Sequence, residues 1–323
     1  MNYDRLTTNE LTERAELLEE SGKLSESLEF WRAAVQREPD DAVMLCQYGN
    51  LARTLEKWSE AEQALKSAVN LAPELSNPYT LLGFLYFDQD VLEEAMSYFQ
   101  KSLEIEPNAG VFTSLGVVQL ELGLTEDARA SLEKAIKVDP NYEEAYYNLG
   151  LTFREHESSN AVELFEKAIH LDPEYAMAHR ELGWALSRLE GKDAEAEYQL
   201  RRAVELNDED GWAHIYLGNI LWQRGDLSSA QQSFKKAVEV WPEIAVPYWC
   251  LALFYEYQGK KVEAERLYQQ GIDLDPDDAQ ANKLFGIYLK DIGEPAKART
   301  YLERARALDP EDQSINEMLA TVN

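Results

Sequence analysis

Eight short proline-containing segments recur along the chain at a nearly constant spacing. They are REPDD at 37–41, LAPEL at 71–75, IEPNA at 105–109, VDPNY at 138–142, LDPEY at 171–175, WPEI at 241–244, LDPDD at 274–278 and LDPED at 308–312. The prolines stand at 39, 73, 107, 140, 173, 242, 276 and 310, so the steps are 34, 34, 33, 33, 69, 34 and 34. The step of 69 is a double step in which Asp208, inside LNDEDG, takes the place of the missing proline. A fixed period of this length constrains the fold more than composition does. Each period is one supersecondary unit that cannot bury its apolar face alone, so neighbours must stack.

Between the prolines a second mark recurs, Leu-Gly or a close substitute followed by an aromatic residue or Leu. It reads LGFLY at 82–86, LGLTF at 149–153, LGWAL at 182–186, LGNIL at 217–221 and FGIYL at 285–289. About twelve residues beyond each Gly comes Ala, with a large residue four further on, as in Ala95/Phe99, Ala161/Phe165, Ala230/Phe234 and Ala264/Tyr268. Two helices per period fit this spacing. Small residues mark where helices cross closely, and large ones fill the space between. Proline ends the second helix because it pushes the preceding residue out of the helical region.

The combined pattern resembles the tetratricopeptide repeat (TPR) family: W-x2-L-G-x2-Y, then A-x3-F, then P, on a 34-residue period. The departures are small: Ala15 replaces the Gly in the first copy and Ala252 in the eighth. The resemblance implies an all-α, right-handed superhelical solenoid of nine helix pairs, with about eight pairs to a turn. The expected units are 8–41, 42–75, 76–108, 109–142, 143–175, 176–210, 211–244, 245–278 and 279–310. Residues 1–7 form an N-terminal extension and 311–323 a polar capping helix.

The stretch GWAHIYLGNILWQRGD, 211–226, has more apolar faces than a surface helix needs. His214, Leu217, Gly218 and Leu221 form one stripe; Trp212, Ile215, Asn219 and Trp222 form a second. The TPR resemblance puts the first helix of each unit on a concave groove, which makes the second stripe a groove surface. The same offsets in other copies select Phe84 and Phe87; Tyr147, Leu151 and Arg154; Arg180 and Trp184, with Arg188 beside them; and Trp249 and Leu253, with Tyr257 adjacent. The groove is thus expected to be acidic at its N-terminal end, aromatic in the middle and mildly basic, with Lys283 and Lys290, at its C-terminal end. Trp31, Trp58 and Trp241 fall at packing positions.

Charge narrows the partners. Acids number 60 and Lys plus Arg 31, a net charge of -29 distributed over both halves. Such a field repels nucleic-acid phosphates and anionic membranes, and it attracts basic protein segments. No apolar run is long enough to span a bilayer and no secretory leader is visible, which makes the cytosol the default location. Cys46 and Cys250 are about 200 residues apart and form no metal or redox spacing.

Other sites fail on their residue patterns. The family's carboxylate clamp has Asn50 or Asn219 in one position, but Leu81 and Cys250 stand where the companion asparagines belong. His179 and His214 share a register that reads as packing, and His156 and His170 are isolated. The acidic turns NDEDG and DPDDAQ lack the alternating ligands of a calcium loop and read as turn and N-cap residues. Nucleophile-elbow, P-loop and zinc-protease motifs are missing, so the sequence implies no enzyme, metal or cofactor. The expected function is a protein-interaction scaffold whose aromatic groove holds a partner's peptide, helix or loop, with Arg154, Arg180 and Arg188 pairing its acids. The alternative is an acidic regulatory or inhibitory subunit that covers a basic surface. Self-association through the aromatic strip is a third use.

Overall fold

The computed structural model describes residues 3–154 and 158–322. Every described element is helical. A short 3-10 turn, Tyr3–Arg5, precedes α1 (Thr8–Glu20), α2 (Leu24–Arg37), α3 (Ala42–Thr54), α4 (Trp58–Leu71) and α5 (Ser76–Asp88). Then follow α6 (Leu92–Ile105), α7 (Ala109–Glu121), α8 (Thr125–Val138), α9 (Glu143–Leu151) and α10 (Ser158–Leu171). The remainder comprises α11 (Ala176–Ser187), α12 (Asp193–Leu206), α13 (Gly211–Gln223), α14 (Leu227–Val240), α15 (Ala245–Tyr257), α16 (Lys261–Leu274), α17 (Ala279–Asp291), α18 (Pro295–Leu308) and α19 (Gln313–Thr321). Two compact units result, one holding α1 to α10 and the other α11 to α19. Among the described residues no helix is long and apolar enough to cross a membrane.

Each odd-numbered helix packs on the even-numbered helix after it, from α1 with α2 through α17 with α18. The crossing is tight because one partner lacks a side chain. A Cβ on Gly83 would lie 2.5 Å from the Phe99 ring, and one on Gly218 would lie 2.8 Å from Phe234. Both phenylalanines are fully buried there. A second contact recurs twelve residues apart within a pair: the Trp31 indole donates to Glu19 (2.6 Å), the Ser131 hydroxyl to Gln119 (2.7 Å) and the Tyr268 hydroxyl to Glu256 (2.8 Å), while Trp222 sets its edge on Phe234 (6.3 Å).

The even-numbered helices end two residues before proline. The residue between is extended, with φ -123° and ψ 72° at Glu38 and φ -135° and ψ 101° at Asp139. Asn207 has the same geometry, φ -142° and ψ 95°, although Asp208 follows it. A side chain from the next helix fastens this turn. Tyr146 donates to the carbonyl of Pro140 (3.2 Å), Tyr248 to Pro242 (2.8 Å) and Asn282 to Pro276 (2.8 Å). His179 Nε2 lies 3.2 Å from the Pro173 carbonyl, and His214 Nε2 lies 3.0 Å from that of Asp208. A carbonyl can only accept, so each Nε2 carries the proton. The shared register of the two histidines is therefore a turn lock. His156 lies outside the described residues.

The acidic turns serve as caps. Asp210 and Asp278 accept from the backbone N–H of Ala213 (3.1 Å) and Ala281 (3.0 Å). Tyr3 lies edge-on to Phe30 (5.1 Å), and Arg37 holds the Tyr3 carbonyl at 2.9 Å. The α-helices run 13–14 residues except α11, with 12, and α9 and α19, with nine each.

Most loops inside a pair turn through a left-handed glycine, such as Gly225 at φ 84°, but Glu56 (φ 56°) and Asp90 (φ 59°) adopt that conformation with a side chain. Asp90→Gly should raise stability by about 0.5–1 kcal/mol by removing the Cβ clash. Gly83→Ala should lower it by about 1–3 kcal/mol, since Phe99 must move out of a filled space. Urea unfolding followed by circular dichroism reads both; equal midpoints for Gly83→Ala and wild type would contradict the crossing geometry.

Candidate functional site

In the second unit, α13 has four helical neighbours: α11, α12, α14 and α15. This burial accounts for the excess of apolar faces. The first stripe, His214, Leu217, Gly218 and Leu221, is buried throughout, with Gly218 against Phe234 of α14. The second stripe is divided. Ile215, only 2% exposed, is sealed by neighbouring helices, which corrects its assignment to an open groove surface. Burying it stabilises the fold by roughly 1.5–3 kcal/mol. Asn219 is exposed and Trp222 half-buried. Trp212 is 38% exposed but lies against Tyr216 (5.6 Å) and Trp241 (6.0 Å), at the other end of the helix.

An open groove of about 650 Å³ lies along the C-terminal ends of α11, α13 and α15. Of the sequence candidates it gathers Trp184, Arg188, Asn219, Trp222 and Tyr257. It adds Ser187, Tyr216, Ile220 and Gln223. Gln223 stands at the same offset from its Leu-Gly mark as Arg188 and Tyr257 do, a signal the sequence already contained. Trp222 is the hub: its ring meets Phe254 edge-on at 5.5 Å from below and Tyr257 at 5.2 Å on the open side. Arg188 sits over the Trp184 ring, 4.9 Å from its centroid, and remains exposed. Tyr257 is 64% exposed. The site is thus a row of aromatic faces on a rigid base, with one cation at its α11 end.

Other candidates lie elsewhere. Arg180 does not await a partner's acid. It pairs with Asp210 (2.6 Å) and Glu181 (3.0 Å), with 15% of its side chain exposed and 6% and 3% of theirs. That buried network corrects its role from ligand-pairing to structural. Lys283 repeats the arrangement with Asp312 (2.6 Å), the N-cap of α19, and Lys290 donates to Thr321 (2.8 Å). The expected basic end is therefore turned inward. The Asp312 carboxyl is held down at about 2, chiefly by Lys283. Trp249 and Leu253 are half-buried and do not line the groove, and the Trp249 indole nitrogen is buried without an acceptor in reach.

In the first unit, Phe84 stands edge-on to Phe99 (5.1 Å), with Arg53 over its ring (5.7 Å). It borders a polar cavity of about 420 Å³ with Asn77, Thr80, Ser102, Asn108 and Glu144. Phe87 packs into the core beside Val118. Tyr147, 8% exposed, packs on Phe165 (6.0 Å) and is closed to a partner. Leu151 and Arg154 are half-buried where α9 ends. The two cysteines are buried, and burial pushes the Cys46 thiol up to about 11. Among the described residues no cluster of His, Cys, Asp and Glu could hold a metal ion.

This architecture defines a helical-repeat protein. Models of the tetratricopeptide repeat match residues 76–108, 120–156, 153–211, 216–279 and 250–313. The chain belongs to the tetratricopeptide repeat family, and its paired helices are a TPR solenoid. A tetratricopeptide repeat protein of Parabacteroides merdae superposes with TM-score 0.63 at 19% identity, over 76% of this chain and 97% of that one. The structure of the APC/C hetero-tetramer Cut9-Hcn1 gives TM-score 0.59 at 16% identity, over 98% and 76%. The Hsp70-Hsp90 organizing protein of Triticum aestivum is 28% identical over 109 residues, 33% of this chain but only 18% of that protein's length. TPR proteins are generally protein-binding scaffolds, and the family is usually non-enzymatic.

Arg180→Ala should destabilise the second unit by about 3–5 kcal/mol, because it removes the cation from between two buried carboxylates. Arg188→Ala should stay within about 0.5 kcal/mol of wild type. Thermal and urea unfolding separate the two. Asp312 titrates lower in the folded chain than unfolded, so its contribution is complete above about pH 4 and is lost as pH falls through about 2. Protection of the α19 amides from hydrogen exchange, relative to the intrinsic rate at each pH, should therefore fall across that window in wild type. In Lys283→Met the largest part of this contribution is removed, and the loss of protection should shrink.

Proposed function

We propose that the chain is a non-enzymatic interaction scaffold whose groove at Trp184, Arg188, Asn219, Trp222 and Tyr257 binds a peptide, helix or loop of a partner protein. The division into nine units over 8–310, with an extension at 1–7 and a last helix at 311–323, belongs to the same reading and is supported by the pairing of α1 to α18. The observation that carries it is the convergence of three helix ends on one open aromatic row, backed by Phe254 and leaving Tyr257 largely in solvent. Rigid aromatic rings bind at low entropic cost, and Trp, Tyr and Arg dominate binding hot spots. The wheat relative is named for organising Hsp70 and Hsp90. Leu81 and Cys250 interrupt the clamp pattern here, which favours the aromatic groove over a carboxylate clamp.

Exposed positions give the cleanest test, since Trp222 also supports the fold. Capture of partners from native lysate should fall at least tenfold for Asn219→Arg combined with Tyr257→Ala, with helicity unchanged by circular dichroism. The wild-type interaction should persist at high salt. A partner kept by the double variant and released by salt would replace this reading with charge-driven covering of a basic surface.

A further inference from the structure

One register of the repeat leads from the aromatic row to a carboxylate on α15. Ser187, Trp222 and Glu256 occupy one register on α11, α13 and α15, and the first two line the groove. Glu256 is half-buried and directly precedes the exposed Tyr257. Among the described residues its carboxylate accepts one hydrogen bond, from the Tyr268 hydroxyl (2.8 Å). Burial and the nearby charge of Asp291, the last residue of α17, push its carboxyl above the usual range. Among the described residues no Lys or Arg pairs with either carboxylate. At the opposite end, the Arg188 cation lies on the Trp184 ring and has no carboxylate partner among the described residues.

Two uncompensated charges of opposite sign therefore bracket the aromatic row. A half-buried carboxylate beside another of the same sign is costly, and a desolvated cation placed against it recovers that cost. Tyr257 offers such a cation a ring face as well. Successive helices α11, α13 and α15 follow one another at roughly 8–10 Å per step, so the helix ends that carry Arg188 and Glu256 are separated by up to about 16–20 Å. An extended chain covers that span in about five or six residues.

We propose that the partner segment is extended and carries a Lys or Arg that seats against Glu256 and Asp291, about five or six residues from an acid that seats on Arg188, with apolar residues between them on Trp184, Trp222 and Tyr257. This rests on the groove being the partner site. The test is selection of a random twelve-residue peptide library displayed on phage against the full chain, followed by affinity measurements on the selected peptides. Peptides whose binding depends on Asn219 and Tyr257 should be enriched in one base and one acid at that spacing. Replacing the base by norleucine should weaken binding to wild type roughly tenfold, and to Glu256→Gln or Asp291→Asn less than about twofold. Gln keeps an acceptor for the Tyr268 hydroxyl, so the fold is preserved. Groove-dependent peptides with no base, or an equal loss on wild type and Glu256→Gln, would overturn the cation seat and leave the groove standing. If no selected peptide depends on Asn219 and Tyr257, both readings fall.

Discussion

The whole structure depends on one close approach, the crossing of two helices where a missing side chain on the first admits a ring or a leucine from the second. Gly218 takes Phe234, Gly83 takes Phe99, and Gly116 takes Leu132 at 2.7 Å from where a Cβ would stand. This contact sets the distance between the paired helices, and hence the packing that buries an apolar residue such as Ile215. Dispersion falls off steeply with small gaps, so a looser crossing would forfeit much of this packing. The fastened turn does the complementary work. Extended residues before proline, and the side chain that donates to the turn carbonyl, fix how each pair leads into the next.

The same contacts explain why an open aromatic row survives in the second unit. A helix wedged between four others loses most of its faces to packing, and what remains open is chiefly its C-terminal end, with Trp212 part-exposed at the other. There Trp222 is supported from below by Phe254 and Phe234 and keeps a face for solvent. The rings are positioned before any partner arrives, which lowers the ordering cost of binding. Charge follows the same logic. Arg180 is consumed by Asp210 and Glu181, whereas Arg188, one helix end away, is not.

Much of this was legible in the sequence. Proline marked the helix ends, and Gly218 with Phe234 or Gly83 with Phe99 marked the crossings, because both signals are local and periodic. The caps at Asp210 and Asp278 were legible for the same reason. The site was legible in part. A fixed offset from each Leu-Gly mark found Trp184, Asn219 and Trp222, with Arg188 and Tyr257 beside it. It also selected Ile215, Tyr147 and Arg180, which the structure encloses. Their fate turns on neighbours 18 to 30 residues away, such as Phe165 for Tyr147 and Asp210 for Arg180. One-helix periodicity cannot register those neighbours. The histidines His179 and His214 read as packing residues, while their acceptor, a turn carbonyl six residues back, appears only in three dimensions.

We propose that partners bind at the ends of α11, α13 and α15 and not on the even-numbered helices. Site-specific photo-crosslinking tests it most directly. A photoreactive phenylalanine analogue would be placed at Asn219 in the groove or at Tyr198, which is 66% exposed on α12 outside it. The account predicts a discrete crosslinked partner from position 219, competed by unlabelled wild-type chain, and none from 198. The same partner crosslinked from 198 but not from 219 would contradict it.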